Sequence, residues 1–282
     1  MLKKAYFEIT NACNLSCSFC HGTKRDIKFV TREEFTRAAS EIRPYAEYLY
    51  FHLMGEPLLH PELASFFDIS NKLGFKVILT TNGTMLCEKQ DILLSAKNLH
   101  KVSISLHCYE ANEVCESIED YLSGCFEFAS KASSIGIICV MRLWNIGANA
   151  KLNEKIISLM HDFFDIDRKS EWKETYSGYK IRDKVFLEWG ERFEWPDIDG
   201  EDYGSSHTCY GLRDQIGVLS DGTVVPCCLD AEGVINLGNI YTESLSDILS
   251  SDRAVKLRVG LQNRCVTEEL CKRCGYAHMK KY

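Results

Sequence analysis

Between residues 5 and 189, short β-prone runs alternate with longer helical ones, and this alternation constrains the fold more than any other feature of the chain. The β-prone runs cover residues 5–10, 48–54, 75–80, 102–106 and 137–143, with a candidate sixth at 184–189. Between them, Thr31-Arg32-Glu33-Glu34 has the spacing of a capping box and starts a helix that runs to about Ile42. His60-Pro61 opens the next helix and Gly74 closes it; further helices are expected at 91–97, 120–134 and 153–164. Strand followed by helix, with short connections, gives parallel strands and right-handed crossovers. The strand interiors are mostly continuous apolar runs, as when both faces of a sheet are covered. Five or six such units predict an α/β fold: a partial, open (β/α)6 barrel rather than an eight-unit one.

The alternation stops in the stretch PDIDGEDYGSSHT, read as a linker over residues 196–208. Beyond it, residues 215–219 and 223–225 flank Asp221-Gly222, a hairpin signal because Asp-Gly readily takes positive φ. A helix is expected over 244–258, followed by a cysteine-rich tail. The expected division is therefore a barrel at 1–195, the linker, and a small α+β domain at 209–282. A formal net charge of −7 argues against a chain built to grip phosphate backbones. The longest apolar stretches fall well short of the roughly 20 residues of a spanning helix. The N-terminus lacks a secretion signal, so the expected location is cytoplasmic.

In a reducing compartment the 14 cysteines need an explanation other than disulfides. Cys87, Cys108, Cys115, Cys125 and Cys139 are scattered and read as small buried hydrophobes. Cys13, Cys17 and Cys20 sit directly after the first strand, where a (β/α) barrel carries its site-forming loops. Three thiolates on one loop can hold three irons of a [4Fe–4S] cube and leave the fourth iron open. The alternative is zinc, which takes four protein ligands, with His21 as a candidate fourth. Near the C-terminus, Cys209 and Cys227 bracket the hairpin and Cys271-x-x-Cys274 supplies a second pair. On spacing alone this pattern also suits a zinc ribbon.

Taken together, the motifs resemble the radical S-adenosylmethionine (SAM) superfamily. Its CxxxCxΦC signature follows the first strand, and here the aromatic position is Phe19. Its GGE-type motif ends the second strand, where this chain has Met54-Gly55-Glu56-Pro57, with Met54 replacing the first glycine. Thr81-Asn82-Gly83 matches the turn that commonly ends the third strand. Gly136-Ile137-Ile138-Cys139-Val140 is half of the fifth-strand GxIxG motif and lacks its last glycine. The resemblance implies a cluster on Cys13, Cys17 and Cys20, with SAM held near Phe19, Gly55, Glu56, Pro57 and Asn82. Ser103, Ser105 and Arg142 are candidate SAM contacts; for Arg142 an ordinary ion pair is the alternative.

The C-terminal cysteines resemble the SPASM/twitch domains of the same superfamily. That resemblance implies one auxiliary [4Fe–4S] cluster on Cys209, Cys227, Cys271 and Cys274, with Cys228 and Cys265 as alternative ligands. The family chemistry implied is reductive cleavage of SAM to a 5′-deoxyadenosyl radical that abstracts a substrate hydrogen. An auxiliary cluster with no open iron suggests a two-electron oxidation of a small molecule or a peptide, with a flavodoxin or ferredoxin as electron donor. The first strand begins near residue 5, so no leader-peptide domain is expected ahead of it, which favours a small molecule. The alternatives are a peptide-modifying maturase or an epimerase, the latter with Cys108 as a hydrogen donor, and a non-catalytic zinc-stabilised binding protein. Asp230 and Glu232 are read as a solvated loop or a substrate-side base.

Overall fold

The computed structural model describes residues 2–112, 117–148, 150–164 and 172–279. In chain order the elements are β1 (Lys4–Phe7), α1 (Arg32–Ile42), β2 (Tyr48–Tyr50), α2 (Leu63–Lys72), β3 (Lys76–Thr81), α3 (Leu86–Ser95), β4 (Leu99–Ser105) and α4 (Ile118–Ser134). They continue as β5 (Ile138–Ile146), α5 (Asn153–Phe164), β6 (Lys173–Thr175), β7 (Gly178–Arg182), β8 (Val185–Glu191), β9 (Gln215–Val218) and β10 (Val224–Val225). Among the described residues, four helices follow: α6 (Leu245–Ser250), α7 (Asp252–Gln262), α8 (Glu269–Lys272) and α9 (Gly275–Met279). The sheet is open at both ends and does not close into a barrel, as the strand–helix alternation predicts. No helix among the described residues is long and apolar enough to cross a membrane.

The chain forms two compact units, and neither is continuous in sequence. The first comprises Met1–Ala12, His21–Lys76 and Phe193–Tyr282. Its strands run in the order β10-β9-β1-β2. Here β9 lies parallel to β1, with Ala5 opposite Ile216, and the expected hairpin forms as β9 antiparallel to β10. The capping box that starts α1 is present: Thr31 Oγ1 accepts from Glu34 N, and Thr31 N donates to Glu34 Oε2. The apolar side of this unit is a stack of rings. Phe35 lies parallel to Phe7 and Phe66, at centroid distances of 5.4 and 4.1 Å. The helix expected over 244–258 is two helices. Ser251 ends α6 and caps α7 by accepting from Ala254 N, since its extended backbone cannot continue a helix.

The second unit comprises Cys13–Cys20 and Val77–Arg192. Its strands run β3-β4-β5-β8-β7-β6. The pairs β3/β4, β4/β5 and β5/β8 are parallel, so the candidate sixth strand is the last parallel strand. It is reached through an antiparallel hairpin, β6–β7, that the residue pattern does not announce. The following turn to β8 places Lys184 at φ 58°, where glycine or asparagine is the usual signal. Helix α4 buries Tyr121, Leu122, Cys125, Phe126, Phe128, Ala129 and Ala132, the stripe of an amphipathic helix laid on a sheet. Of the scattered cysteines, Cys108, Cys125 and Cys139 are buried as expected. Cys87 is exposed on α3, contrary to that expectation, and Cys115 lies outside the described residues.

Candidate functional site

In the second unit, the loop Cys13–Cys20 is pinned by asparagines. Asn82 Nδ2 donates to Asn14 Oδ1 at 2.9 Å, and Asn14 Nδ2 donates to Thr84 Oγ1 at 2.8 Å. Asn82 Nδ2 also lies 4.0 Å from Cys13 Sγ. The Thr81-Asn82-Gly83 turn that places Asn82 requires its glycine. Gly83 has φ +87°, and a Cβ there would come within 2.9 Å of Cys125 Sγ and 3.0 Å of Tyr121 Oη. Tyr121 donates its hydroxyl to Asn82 O at 2.7 Å, so α4 braces the same turn.

Cys13 and Cys20 are exposed and Cys17 is half-buried. The Cys17 thiol is brought down to about 7, chiefly by the hydrogen bond that Cys108 donates; burial opposes this, and the Asn112 amide adds to the lowering. Cys108 is thus buried with its thiol directed at a cysteine of the loop. Phe19 packs against His107 with centroids 4.8 Å apart. On β4, Ser103 is fully buried, and its hydroxyl has no hydrogen-bond partner among the described residues; the same is true of Thr80 Oγ1, its register neighbour on β3. A buried hydroxyl without a partner is a costly arrangement, and a bound ligand would relieve it. Ser105, half-buried, pairs in register with Arg142. Arg142 Nε lies 3.5 Å from Glu188 Oε2, and its guanidinium stacks over Trp144 at 4.5 Å.

His107 is missed by motif reading. Its Nδ1 lies 3.1 Å from the Arg142 carbonyl, and burial lowers its pKa to about 4. A histidine depressed in this way contributes stability that is present above the unfolded value of about 6.5 and is lost as pH falls through the folded one. The urea midpoint is therefore expected to drop between pH 6.5 and about 4, and His107→Gln should remove that part of the drop. An identical pH profile in wild type and variant would show that His107 is not responsible.

In the first unit, Gly55 has φ +76°, and an added Cβ would lie 2.5 Å from Thr10 O and 2.8 Å from Ala12 O. Only glycine fits this approach. Glu56 N donates to Ala12 O at 2.7 Å, and the buried Glu56 carboxylate accepts from Leu58 N, capping the turn that Pro57 opens. The departure at Met54 has a packing reason. Its side chain is buried with Tyr6, Leu53, Leu219, Val225 and Ala231, and its N–H donates to Glu8 Oε2 at 3.1 Å. Glu8 itself is fully buried and also accepts two bonds from Arg25 Nη2, at 2.8 Å each, and bonds from Ser220 N and Oγ. A charged residue inside an apolar strand was the available signal for Glu8; nothing local marks Arg25 as its partner.

The C-terminal thiols of this unit converge. Burial pushes the Cys227 thiol well up, and the sulfurs of Cys209, Cys228, Cys271 and Cys274 push it further. Cys271 is raised in the same way by burial, then by Cys209 and Cys274; Cys274 is pushed up to about 11, chiefly by burial. Thiols crowded together without a cation resist ionisation, so this donor set suits a cationic iron–sulfur core that would supply the missing positive charge. Cys228 sits in the same neighbourhood but is engaged by the Tyr6 hydroxyl, and Cys265 is exposed. Among the described residues, no three or more His, Cys, Asp or Glu side chains are spaced to hold a single metal ion. Asp230 is not a solvated loop residue. It is buried, and its carboxylate accepts from Val234 N and Ile235 N, because the turn it closes carries otherwise unmet donors. Glu232 accepts from Lys24 N.

Residues 7–143 match the radical SAM superfamily. The chain belongs to that superfamily. Residues 209–275 of this radical SAM enzyme match the SPASM iron–sulfur cluster-binding domain. Its cofactors are accordingly a SAM-binding [4Fe–4S] cluster, SAM, and auxiliary iron–sulfur binding in the C-terminal region. It is 23% identical to the tungsten-containing aldehyde ferredoxin oxidoreductase cofactor-modifying protein of Pyrococcus furiosus, over 93% of this chain and 85% of the relative. Its fold is similar to BtrN in complex with AdoMet and 2-DOIA, with a TM-score of 0.59 and 17% identity over 97% of this chain and 93% of that one. It is also similar to Streptococcus suis SuiB bound to S-adenosylmethionine, with a TM-score of 0.63 and 15% identity over 98% of this chain and 72% of that one.

Proposed function

We propose that this radical SAM enzyme catalyses a two-electron oxidation of a small molecule in the cytosol. Residues 1–195 would form the SAM-binding barrel, 196–208 the linker and 209–282 the auxiliary domain. Cys13, Cys17 and Cys20 would hold the first cluster, and Cys209, Cys227, Cys271 and Cys274 a second, closed [4Fe–4S] cluster. The observation that carries the oxidative reading is the convergence of the four C-terminal thiols, enough to close every iron of one cube with protein. When bound, the first cluster with SAM supplies hydrogen-atom abstraction, and the second supplies an acceptor for the remaining electron.

The residues of the chain bind, orient and shield. Asn82 and Asn14 hold the cysteine loop, and Gly55 lets two strand ends approach closely. Phe19 and His107 pack the loop's apolar side, while Ser103 and Ser105 offer hydroxyls on β4. Arg142 stands as a candidate contact to the SAM carboxylate or ribose, already steadied by Glu188. A ferredoxin or flavodoxin would be the electron donor. The structure of BtrN with 2-DOIA supports a small-molecule substrate. The existence of SuiB bound to precursor peptide SuiA keeps a peptide as the second reading.

The test is product mass. Reduced enzyme with SAM and a small-molecule extract should form 5′-deoxyadenosine together with a product two hydrogens lighter than its substrate. A product of unchanged mass that gains one deuterium in D₂O would instead point to epimerisation with a thiol donor such as Cys108, and would overturn the oxidation. Turnover only with peptides would overturn the small-molecule reading alone.

A further inference from the structure

The Asn112 side chain is fixed at both ends by the cysteine loop. Its Oδ1 accepts from Ser16 N at 2.8 Å. Its Nδ2 lies 3.1 Å from Cys17 Sγ and donates to Cys108 O at 2.7 Å. The orientation of the amide is forced, because the Ser16 N–H needs an acceptor and so the nitrogen must face the sulfur. The two amide hydrogens then have one target each, the Cys17 sulfur and the Cys108 carbonyl. Ser16 and Cys17 are adjacent, so a single side chain in the bend between β4 and α4 grips one dipeptide of the loop, whose residues lie 96 and 95 positions away in sequence.

We propose that Asn112 is a positioning residue that raises the reduction potential of the SAM-binding cluster through its hydrogen bond to the Cys17 sulfur. The inference rests on the reading of Cys13, Cys17 and Cys20 as cluster ligands. One-electron reduction adds negative charge to the cluster and its thiolates. An N–H aimed at a ligand sulfur stabilises that charge more in the reduced than in the oxidised state, so it favours reduction. The sulfur concerned is the half-buried one of the three, where such a bond is screened least by water. Asn112 adds no group to SAM or substrate; it acts through Cys17.

The test is an EPR-monitored potentiometric titration of the full-length, anaerobically reconstituted enzyme. The signal that changes on addition of SAM reports the first cluster, and the other signal serves as an internal control. Asn112→Leu, similar in size and without a donor, should make reduction of the SAM-responsive cluster about tenfold less favourable, a shift of about 59 mV to more negative potential for one electron. Asn112→Asp keeps the acceptor for Ser16 N and turns an oxygen toward Cys17, so its shift should be larger and in the same direction. The auxiliary signal should not move in either variant. Unchanged potentials in the iron-loaded variants would overturn the proposal, as would equal shifts of both signals. If Asn112→Leu fails to load iron, the Asn112→Asp titration decides by the same criteria. A wild-type enzyme with no SAM-responsive signal would instead refute the ligand reading beneath it.

Discussion

Arg25→Met should lower the free energy of unfolding by about 3–5 kcal/mol, because it leaves the Glu8 carboxylate buried without its counter-charge. The Glu8 side chain is 0% exposed and that of Arg25 14%, so water can replace little of what the guanidinium provides. The carboxylate would keep its bonds from Met54 N and from Ser220 N and Oγ, which are neutral donors and only partly offset the loss. The double variant Glu8→Gln/Arg25→Met removes both charges and should lose clearly less than Arg25→Met alone. Urea unfolding of the three proteins decides the matter. A single-variant loss below about 1 kcal/mol would place this pair with ordinary surface ion pairs and refute the argument. The consequence reaches the motif at Met54-Gly55-Glu56, since Glu8 holds the first of these by its N–H.

The second large effect is on iron and SAM. Anaerobic enzyme should contain about eight irons, and replacing Cys13, Cys17 and Cys20 together with alanine should leave about four and abolish 5′-deoxyadenosine formation. The complementary variant, Cys271→Ala/Cys274→Ala, should also lose about half the iron but keep SAM cleavage while stopping product formation. The two losses should be independent, because the first three cysteines belong to one compact unit and the C-terminal thiols to the other. Iron absent and zinc stoichiometric in the wild type would restore the zinc-stabilised binding protein; loss of all iron from the first variant would mean that the sites do not load separately.

Much of this enzyme was readable from local pattern. The strand–helix alternation, the Thr31/Glu34 capping box, the Asp221-Gly222 hairpin and the order of the motifs are set by residues a few positions apart. Such features depend on backbone propensity, on periodic burial and on cysteine spacing, all carried by short windows of sequence. Local pattern failed where the expected signal was absent: the β7–β8 turn has Lys184 at positive φ, and in the β6–β7 hairpin β6 is exposed while β7 is only half-buried. It failed again at Ser251, a single cap that divides one apparent helix into two.

What only the tertiary structure decided are the pairings between distant segments. The strand β9 from the cysteine-rich region joins β1 in parallel, a contact whose partners lie more than 200 residues apart. Glu8 finds Arg25, Met54 and Ser220, Asn112 finds Cys17, and Cys209 meets Cys227, Cys271 and Cys274. In each case the type of residue was visible in the sequence, but the partner was not. Buried charges, amides and thiols take whichever complementary group the packed chain brings to them, and satisfying them is obligatory only once water has been excluded. Sequence determined which chemistry this enzyme carries; folding decided which groups stand close enough to tune it.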